Sequence, residues 1–396
     1  MSGPSPPLPA FPAHAILATD LSGLSRAAEL IKGGKLIVVP TETVYGIAVN
    51  LLAPDARAKA KAIKASVQLQ PPAEPGAKGR GSDQPMQSPW VIHVGQPEDV
   101  IAWTPRISQL GKRLIRKALP GPIAFQIKLA PEDIVAARRR LGDATEETIH
   151  DGCLTLRCPE CSSTQQILSQ SEVPVAIIGA GTPAQPAIFE IADLGVGGMD
   201  IVAAVDGGAT RYRRASTLVR IEGDRFSVIR AGVIDERMIQ KMADLVILFI
   251  CTGNTCRSPM AAALAIRILA DKLRIEPSEL PLRHIVVQSA GLHASRGMRA
   301  AYEAMEAVKL HGGDLAAHLS QPATMDLLRR ADFIYTMTDA HRNEVLEFLP
   351  AAVHKTQRLN PLADVEDPIG AGLGVYEEVA EHLVGLLRQR VSELPI

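Results

Sequence analysis

Cys251 and Arg257 stand in the spacing Cys-x5-Arg, within Cys251-Thr252-Gly253-Asn254-Thr255-Cys256-Arg257-Ser258. A thiolate attacks electrophilic phosphorus, and a guanidinium clamps the oxygens of a tetrahedral oxyanion. Five intervening residues on a strand-to-helix turn let successive backbone N–H groups converge on that oxyanion, and the helix N-terminus adds positive potential. The helix end and Arg257 both favour the thiolate form of Cys251. Gly253 and Asn254 tolerate positive φ, and Ser258 is placed to donate to the thiolate. Outside such a turn the same spacing is a common coincidence around a structural cysteine. A leaving group must also be protonated as its bond to phosphorus breaks. Asp367-Pro368, in a Gly-rich loop before the last helix, offers that acid, although an Asp-Pro pair by itself more often starts a turn.

The elements around these residues must form a cup. Leu245–Ile250 is an apolar run that predicts a buried strand, and Pro259 followed by Met260–Ile266 predicts a helix that opens at once. Beyond it, strands over 284–288 and 332–336 alternate with helices over 299–311, 322–330, 340–348 and 375–391. That alternation predicts a doubly wound parallel sheet, with ligands at the carboxyl ends of its strands, where Cys251 falls.

Residues 14–234 predict a mixed α/β domain. Helical spacing over 18–33 leads into a strand at 35–39 and then the polar stretch Pro40–Gly46, a candidate site loop. A helix over 54–64 gives way to Ser66–Pro89, rich in Pro, Gly, Gln and Ser, which predicts a mobile insertion. Strands are expected at 90–94, 123–129, 154–157, 173–178, 216–221 and 226–229, helices at 106–118 and 163–169, and a connector at 235–244.

A chain of 396 residues predicts two domains, here 14–234 and 243–396. With 46% hydrophobic but only 4% aromatic residues, the cores must be built from Ala, Val, Leu and Ile. A net charge of −1 offers no overall attraction to nucleic acid or to an acidic membrane. No apolar run approaches the roughly 18–20 residues of a membrane span, and Met1–Pro12 lacks the features of a signal peptide, so a cytoplasmic protein is expected. Five cysteines (Cys153, Cys158, Cys161, Cys251 and Cys256) are too few for a disulfide framework. No metal-ligand set is expected.

The stretch Cys251–Met260, with Ser289-Ala290-Gly291 and Asp367-Pro368 in that order, resembles the low-molecular-weight protein tyrosine phosphatase family over residues 243–396. The resemblance implies a phosphorylated protein substrate and no cofactor. Cys251 is then the nucleophile that forms a phosphocysteine, Arg257 the phosphoryl clamp, and Asn254 a shaper of a loop that also includes Thr252, Gly253, Thr255 and Cys256. Ser258 stabilises the thiolate, and Asp367 acts first as acid and then as base. Thr255 resembles the residue of the bacterial protein-arginine phosphatases, where tyrosine-specific members usually carry an aliphatic side chain. A small hydroxyl side chain leaves room for a guanidinium, so phosphoarginine is preferred over phosphotyrosine. The related arsenate reductases need further cysteines beyond Cys256. Cys256 either forms a reversible disulfide with Cys251 or packs under the loop.

Pro40–Gly46, Leu119–Pro122, Leu156–Pro159, Asp206–Gly208 and Arg230–Gly232 together resemble the YrdC-like family, whose members make threonylcarbamoyl-adenylate from ATP (with Mg), L-threonine and bicarbonate for tRNA modification. The resemblance implies that Thr41 lines the threonine pocket, Lys64, Arg157 and Arg230 contact the nucleotide, and Ser216 meets the bound intermediate. Two motifs depart from the family. Lys64-Ala65-Ser66 lacks the Arg of Lys-x-Arg, unless Lys78-Gly79-Arg80 replaces it, and Gly179-Ala180-Gly181 stands where Ser-x-Asn is expected. Two readings follow: a bifunctional phosphatase and synthase, or a phosphatase joined to a nucleotide- or RNA-binding module with weakened chemistry. The clusters Arg138–Arg140 and Arg211–Arg214 are candidate RNA contacts.

Overall fold

The structure, a computed structural model, describes residues 15–68, 90–181, 187–194 and 200–396. The chain divides into two compact units, Met1–Met242 and Ala243–Ile396.

The first unit is built on an eleven-stranded mixed sheet. Its strands run in the order Ile16–Leu17, Ile201–Val205, Leu36–Val39, Gly46–Asn50, Val175–Gly179, Val91–His93, Cys153–Arg157, Ile123–Lys128, Thr217–Glu222 and Arg225–Arg230, with Ile149–His150 paired to Cys153–Arg157. Leu36–Val39 is buried at every position, as a strand covered on both faces must be. The helix Leu21–Lys32, capped by Asp20, whose side chain accepts from Gly23 N at 2.7 Å, lays Leu24, Ala27, Ala28 and Ile31 against Ile37 and Val39.

Gly46–Asn50, left unassigned by the sequence reading, is a fully buried strand between Leu36–Val39 and Val175–Gly179, antiparallel to both. Gly46 opens it because a Cβ there would lie 2.3 Å from Ile177 Cγ2. Among the helices that also went unassigned are Pro97–Trp103 and Pro131–Leu141. Each starts with Pro at its first turn followed by Glu and Asp, a start signal present in the sequence. The helix Pro54–Gln68 runs past the expected boundary at Ser66; the remainder of the expected insertion, including Lys78-Gly79-Arg80, lies outside the described residues.

The second unit has a four-stranded, wholly parallel sheet in the order Ile285–Gly291, Leu245–Cys251, Phe333–Thr336 and Thr356–Arg358. The α/β class expected for each half is the one found. Leu245–Cys251 sends alternate side chains to opposite faces. Ile247, Phe249 and Cys251 meet the helices Arg257–Leu273, Tyr302–Lys309 and Leu373–Glu393. Val246, Leu248 and Ile250 meet Leu328, Ala331 and Val345. Ala261, Ala262, Ala263, Ala265 and Ala270 are buried, so the helix after Cys251 approaches the sheet closely with little side-chain entropy to lose. The helix begins at Arg257, before the expected Pro259, and this places Cys256 at its N-cap.

Candidate active site

Cys251 ends the second strand of the parallel sheet, in register with Gly291. Its chain then turns through Asn254, the one loop residue in the left-handed region (φ +57°), and enters the helix. Asn254 is fully buried and every polar group on it is used. Its N–H donates to Cys251 Sγ at 3.2 Å, and its Nδ2 donates to Ser258 Oγ and to Ser289 Oγ, each at 2.9 Å. Its Oδ1 accepts from Gln321 N at 2.9 Å, and its carbonyl meets His318 Nε2 at 2.9 Å. Ser258 Oγ, which accepts from Asn254, lies 2.9 Å from Cys251 Sγ and 3.4 Å from Ala290 O, so its proton can go to either. The sulfur thus has one backbone donor, Asn254 N–H, and a hydroxyl within hydrogen-bond reach.

Gly291 is required beneath this loop: a Cβ there would lie 2.4 Å from Thr252 O and 2.9 Å from Asn254 N. Arg257, buried at the helix start, donates to Val365 O at 3.3 Å and pairs through Nη2 with the half-exposed carboxylate of Asp367. Cys256 lies under the loop, its Sγ 3.3 Å from the buried Tyr376 hydroxyl, and burial raises the Tyr376 pKa. All five cysteines are free thiols. Thr252 Oγ1 lies 2.8 Å from His341 Nε2.

The first unit holds a cavity of about 510 Å³ at the ends of its central strands. Thr41, Lys64, Arg157, Ser216 and Arg230 all line it, as do Arg213, Arg214, Gly179 and Ala180. Arg157 is buried; its Nη2 donates to Glu42 Oε1 at 2.5 Å and Thr43 Oγ1 at 2.9 Å, while its Nε has no hydrogen-bond partner. Arg230 Nη2 donates to Ser216 O at 3.0 Å, and burial together with the nearby Arg157 lowers its pKa. Burial likewise lowers that of Lys64, whose Nζ lies 5.9 Å from the Trp90 ring centre. His93 is held neutral, its pKa pushed down to about 3 by burial and by Arg157. Thr41 Oγ1 bridges Thr43 Oγ1 at 2.9 Å and Val44 O at 2.6 Å, which ties the loop into a turn. A Cβ on Gly179 would meet nothing within 4 Å, so that wall offers backbone only.

The basic clusters are partly committed within the fold. Arg211 pairs with Glu160 at 3.2 Å, Arg213 with Glu190, and Arg140 lies 3.6 Å over the Trp103 ring. Among the described residues, no group of three or more His, Cys, Asp or Glu is arranged to hold a metal ion, and no helix is long and apolar enough to cross a membrane.

With this geometry in view, known proteins resolve the second unit. The family profile described as "Low molecular weight phosphotyrosine protein phosphatase" matches residues 246–395. A protein-arginine-phosphatase of Geobacillus stearothermophilus is 35% identical over 153 residues, which is 37% of this chain and 95% of that protein. The chain belongs to the low molecular weight protein phosphatase family. A low molecular weight protein-tyrosine-phosphatase of Staphylococcus haemolyticus is 28% identical, over 36% of this phosphatase and 94% of that one. Residues 77–232 match the YrdC family profile, described as "Telomere recombination". A threonylcarbamoyl-AMP synthase of Pyrococcus abyssi is 26% identical over 54% of this chain, which spans 56% of its length. The chain is thus a phosphatase with a YrdC-like domain ahead of it.

In this phosphatase the fold links Cys251, Asn254 and Ser258 by hydrogen bonds and pairs Arg257 with Asp367, and the five expected residues of the first unit line one cavity. Sequence reasoning missed the roles of Ser289, His318, Gln321 and His341. Ser289 was in a quoted motif without a function assigned; His318 and Gln321 lie on distant loops and His341 in the first turn of the helix Asp339–Phe348, and nothing local marks them. Of the two residues tolerant of positive φ, Asn254 uses that freedom and Gly253 does not.

Proposed function

We propose that the second unit dephosphorylates arginine in proteins through a phosphocysteine. Thr255 carries the substrate preference. Its hydroxyl lies 3.7 Å from Cys256 Sγ and close to Gly253, a smaller and more polar side chain than an aliphatic residue would place at this loop position. Overall identity does not separate the two substrates, being 35% to a protein-arginine-phosphatase and 35% to a probable protein-tyrosine-phosphatase, and the reading stands on Thr255. Asp367, freed from Arg257, takes a proton from solvent; Cys251 Sγ attacks phosphorus, and the P–N bond breaks as Asp367 passes that proton to the departing guanidine nitrogen. Arg257 turns from Asp367 to the phosphoryl oxygens, which joins clamp and acid in a single exchange. Asp367 then takes a proton from water as its oxygen attacks the phosphocysteine, releasing phosphate and restoring the thiolate. The test compares kcat/KM for a phosphoarginine and a phosphotyrosine peptide in the unmodified chain and in Thr255→Ile. Faster turnover of phosphotyrosine by the unmodified chain refutes the preference.

For the first unit, the cavity supports retained nucleotide binding with a weakened synthase. Lys64, Arg157 and Arg230 supply fixed positive charge, and the orphaned Nε of Arg157 is a buried donor suited to an anionic oxygen. The apolar Gly179–Gly181 turn removes side-chain bonds each worth roughly 1–3 kcal/mol in a desolvated site. Pyrophosphate release dependent on both threonine and bicarbonate, with Thr41→Ala as control, measures what remains; turnover at full synthase rates overturns the weakened reading.

A further inference from the structure

His341 is a buried titratable group beside the phosphate loop that takes no part in the steps above. His341 sits in the first turn of the helix Asp339–Phe348, and both its ring nitrogens are occupied by hydroxyls. Nε2 lies 2.8 Å from Oγ1 of Thr252, the residue that directly follows the nucleophile, and Nδ1 lies 2.9 Å from Oγ1 of Thr338, the helix N-cap. We propose that His341 is a positioning residue of the phosphatase, a neutral imidazole that holds Thr252, and through it the start of the phosphate loop, in the geometry that aims Cys251. The proposal rests on Cys251 being the nucleophile.

Thr338 Oγ1 accepts the backbone N–H of His341 at 3.1 Å and also meets Nδ1, so the ring is anchored at the helix N-cap while Nε2 reaches Thr252 Oγ1; either neutral tautomer makes both ring contacts, because each hydroxyl can donate or accept. Thr252 is held on its other side as well, its carbonyl accepting from His293 N at 3.0 Å and seated against Gly291. Neutrality is built in. Burial, Arg257 and the helix N-terminus all disfavour imidazolium. Glu344, Asp364 and Asp367 act in the opposite sense, but each has another partner: Glu344 meets His293 at 3.2 Å, Asp364 accepts from Asp339 N at 2.8 Å, and Asp367 pairs with Arg257. The balance lowers the pKa of His341. A second proton on the ring would make both nitrogens donors and set a cation beside Arg257.

The test is a double-mutant cycle on the full chain, with kcat and KM read on an aryl phosphate across pH and Cys251→Ser as control. Thr252→Val and His341→Ala should each lower kcat about tenfold with KM within about twofold, and the double variant should lose no more than either alone. His341→Gln, which keeps an amide donor in reach of Thr252 but cannot titrate, should recover most of kcat and hold it further to the acid side than the unmodified chain. Multiplying losses in the double variant, or a glutamine variant as slow as alanine, overturns the proposal. Thr252→Val keeps shape at an exposed residue, so its result stands even if an His341 variant is poorly folded. Turnover surviving in Cys251→Ser would instead overturn the phosphocysteine reading.

Discussion

Replacing Gly291 by alanine separates the geometry of the phosphate loop from its chemistry, because no reacting group is touched. The new Cβ would meet Thr252 O at 2.4 Å, Ala294 Cβ at 2.8 Å and Asn254 N at 2.9 Å, where real contacts begin at 3.0–3.4 Å. The strand cannot retreat, since Gly291 is paired in register with Cys251 and Gly291 N donates to Gln321 O at 2.9 Å. The loop must therefore lift by roughly 0.6–1 Å at Thr252. Overpacking of this kind costs about 1–3 kcal/mol. At about 2–4 °C per kcal/mol for a unit of this size, the Tm of the second unit should fall by several degrees. Displacement of a nucleophile by this much costs up to about 100-fold in rate. On an aryl phosphate we therefore expect kcat of Gly291→Ala to fall ten- to a hundredfold while the unit stays folded at 25 °C. A variant with unchanged kcat would show that the loop does not depend on this close approach, and the account of the cup would be wrong.

Asp367→Asn should lower kcat by roughly 10²–10⁴ on a substrate whose leaving group needs a proton, and far less on p-nitrophenyl phosphate; equal losses on the two would remove Asp367 from the acid role. Asn254→Ala should destabilise the second unit by about 3 kcal/mol, through lost hydrogen bonds and the left-handed backbone. Asn254→Gly, relieved of the backbone strain alone, should recover about 1 kcal/mol in urea unfolding, and an equal loss in both assigns no cost to the φ of +57°. His93 is neutral in the folded first unit, with a pKa near 3 against about 6.5 when unfolded. Below pH 6.5 the unfolded chain takes up a proton that the folded one refuses. Stability should thus fall between pH 6.5 and about 3, by up to about 1.4 kcal/mol per pH unit, with His93→Gln flattening the dependence.

The second unit was the more legible in the sequence because its chemistry is local. Cys251 to Ser258 is one turn between a strand and a helix, and its apolar flanks announce both elements. Asp367 was found through a neighbouring Pro, but its pairing with Arg257 depends on a loop more than a hundred residues away, which only folding brings near. Gln321 holds Asn254 through its backbone N–H, which leaves no mark on residue type, and His318 reaches the Asn254 carbonyl with its ring from a loop 64 residues away. In the first unit, Gly46–Asn50 was obscured because a strand buried on both faces shows no alternation, and its Gly and Asn ends read as turn. The cavity residues were recovered one motif at a time. That Arg157 would share its charge with Glu42, three residues into the Pro40–Gly46 loop, required the register of distant strands.

The long sheet of the first unit is open, and open sheets invite strands from other molecules to join their rims. One rim is only two residues long, Ile16–Leu17, too short to template much pairing. The other, Arg225–Arg230, starts and ends on an exposed arginine and leaves Ser227 and Ile229 outward between them. Cationic ends of this sort repel a second copy brought alongside. Arg230 thereby answers to two demands at once, solubility at the rim and positive charge at the cavity. A chain that abandoned synthase chemistry altogether would still have a reason to keep it.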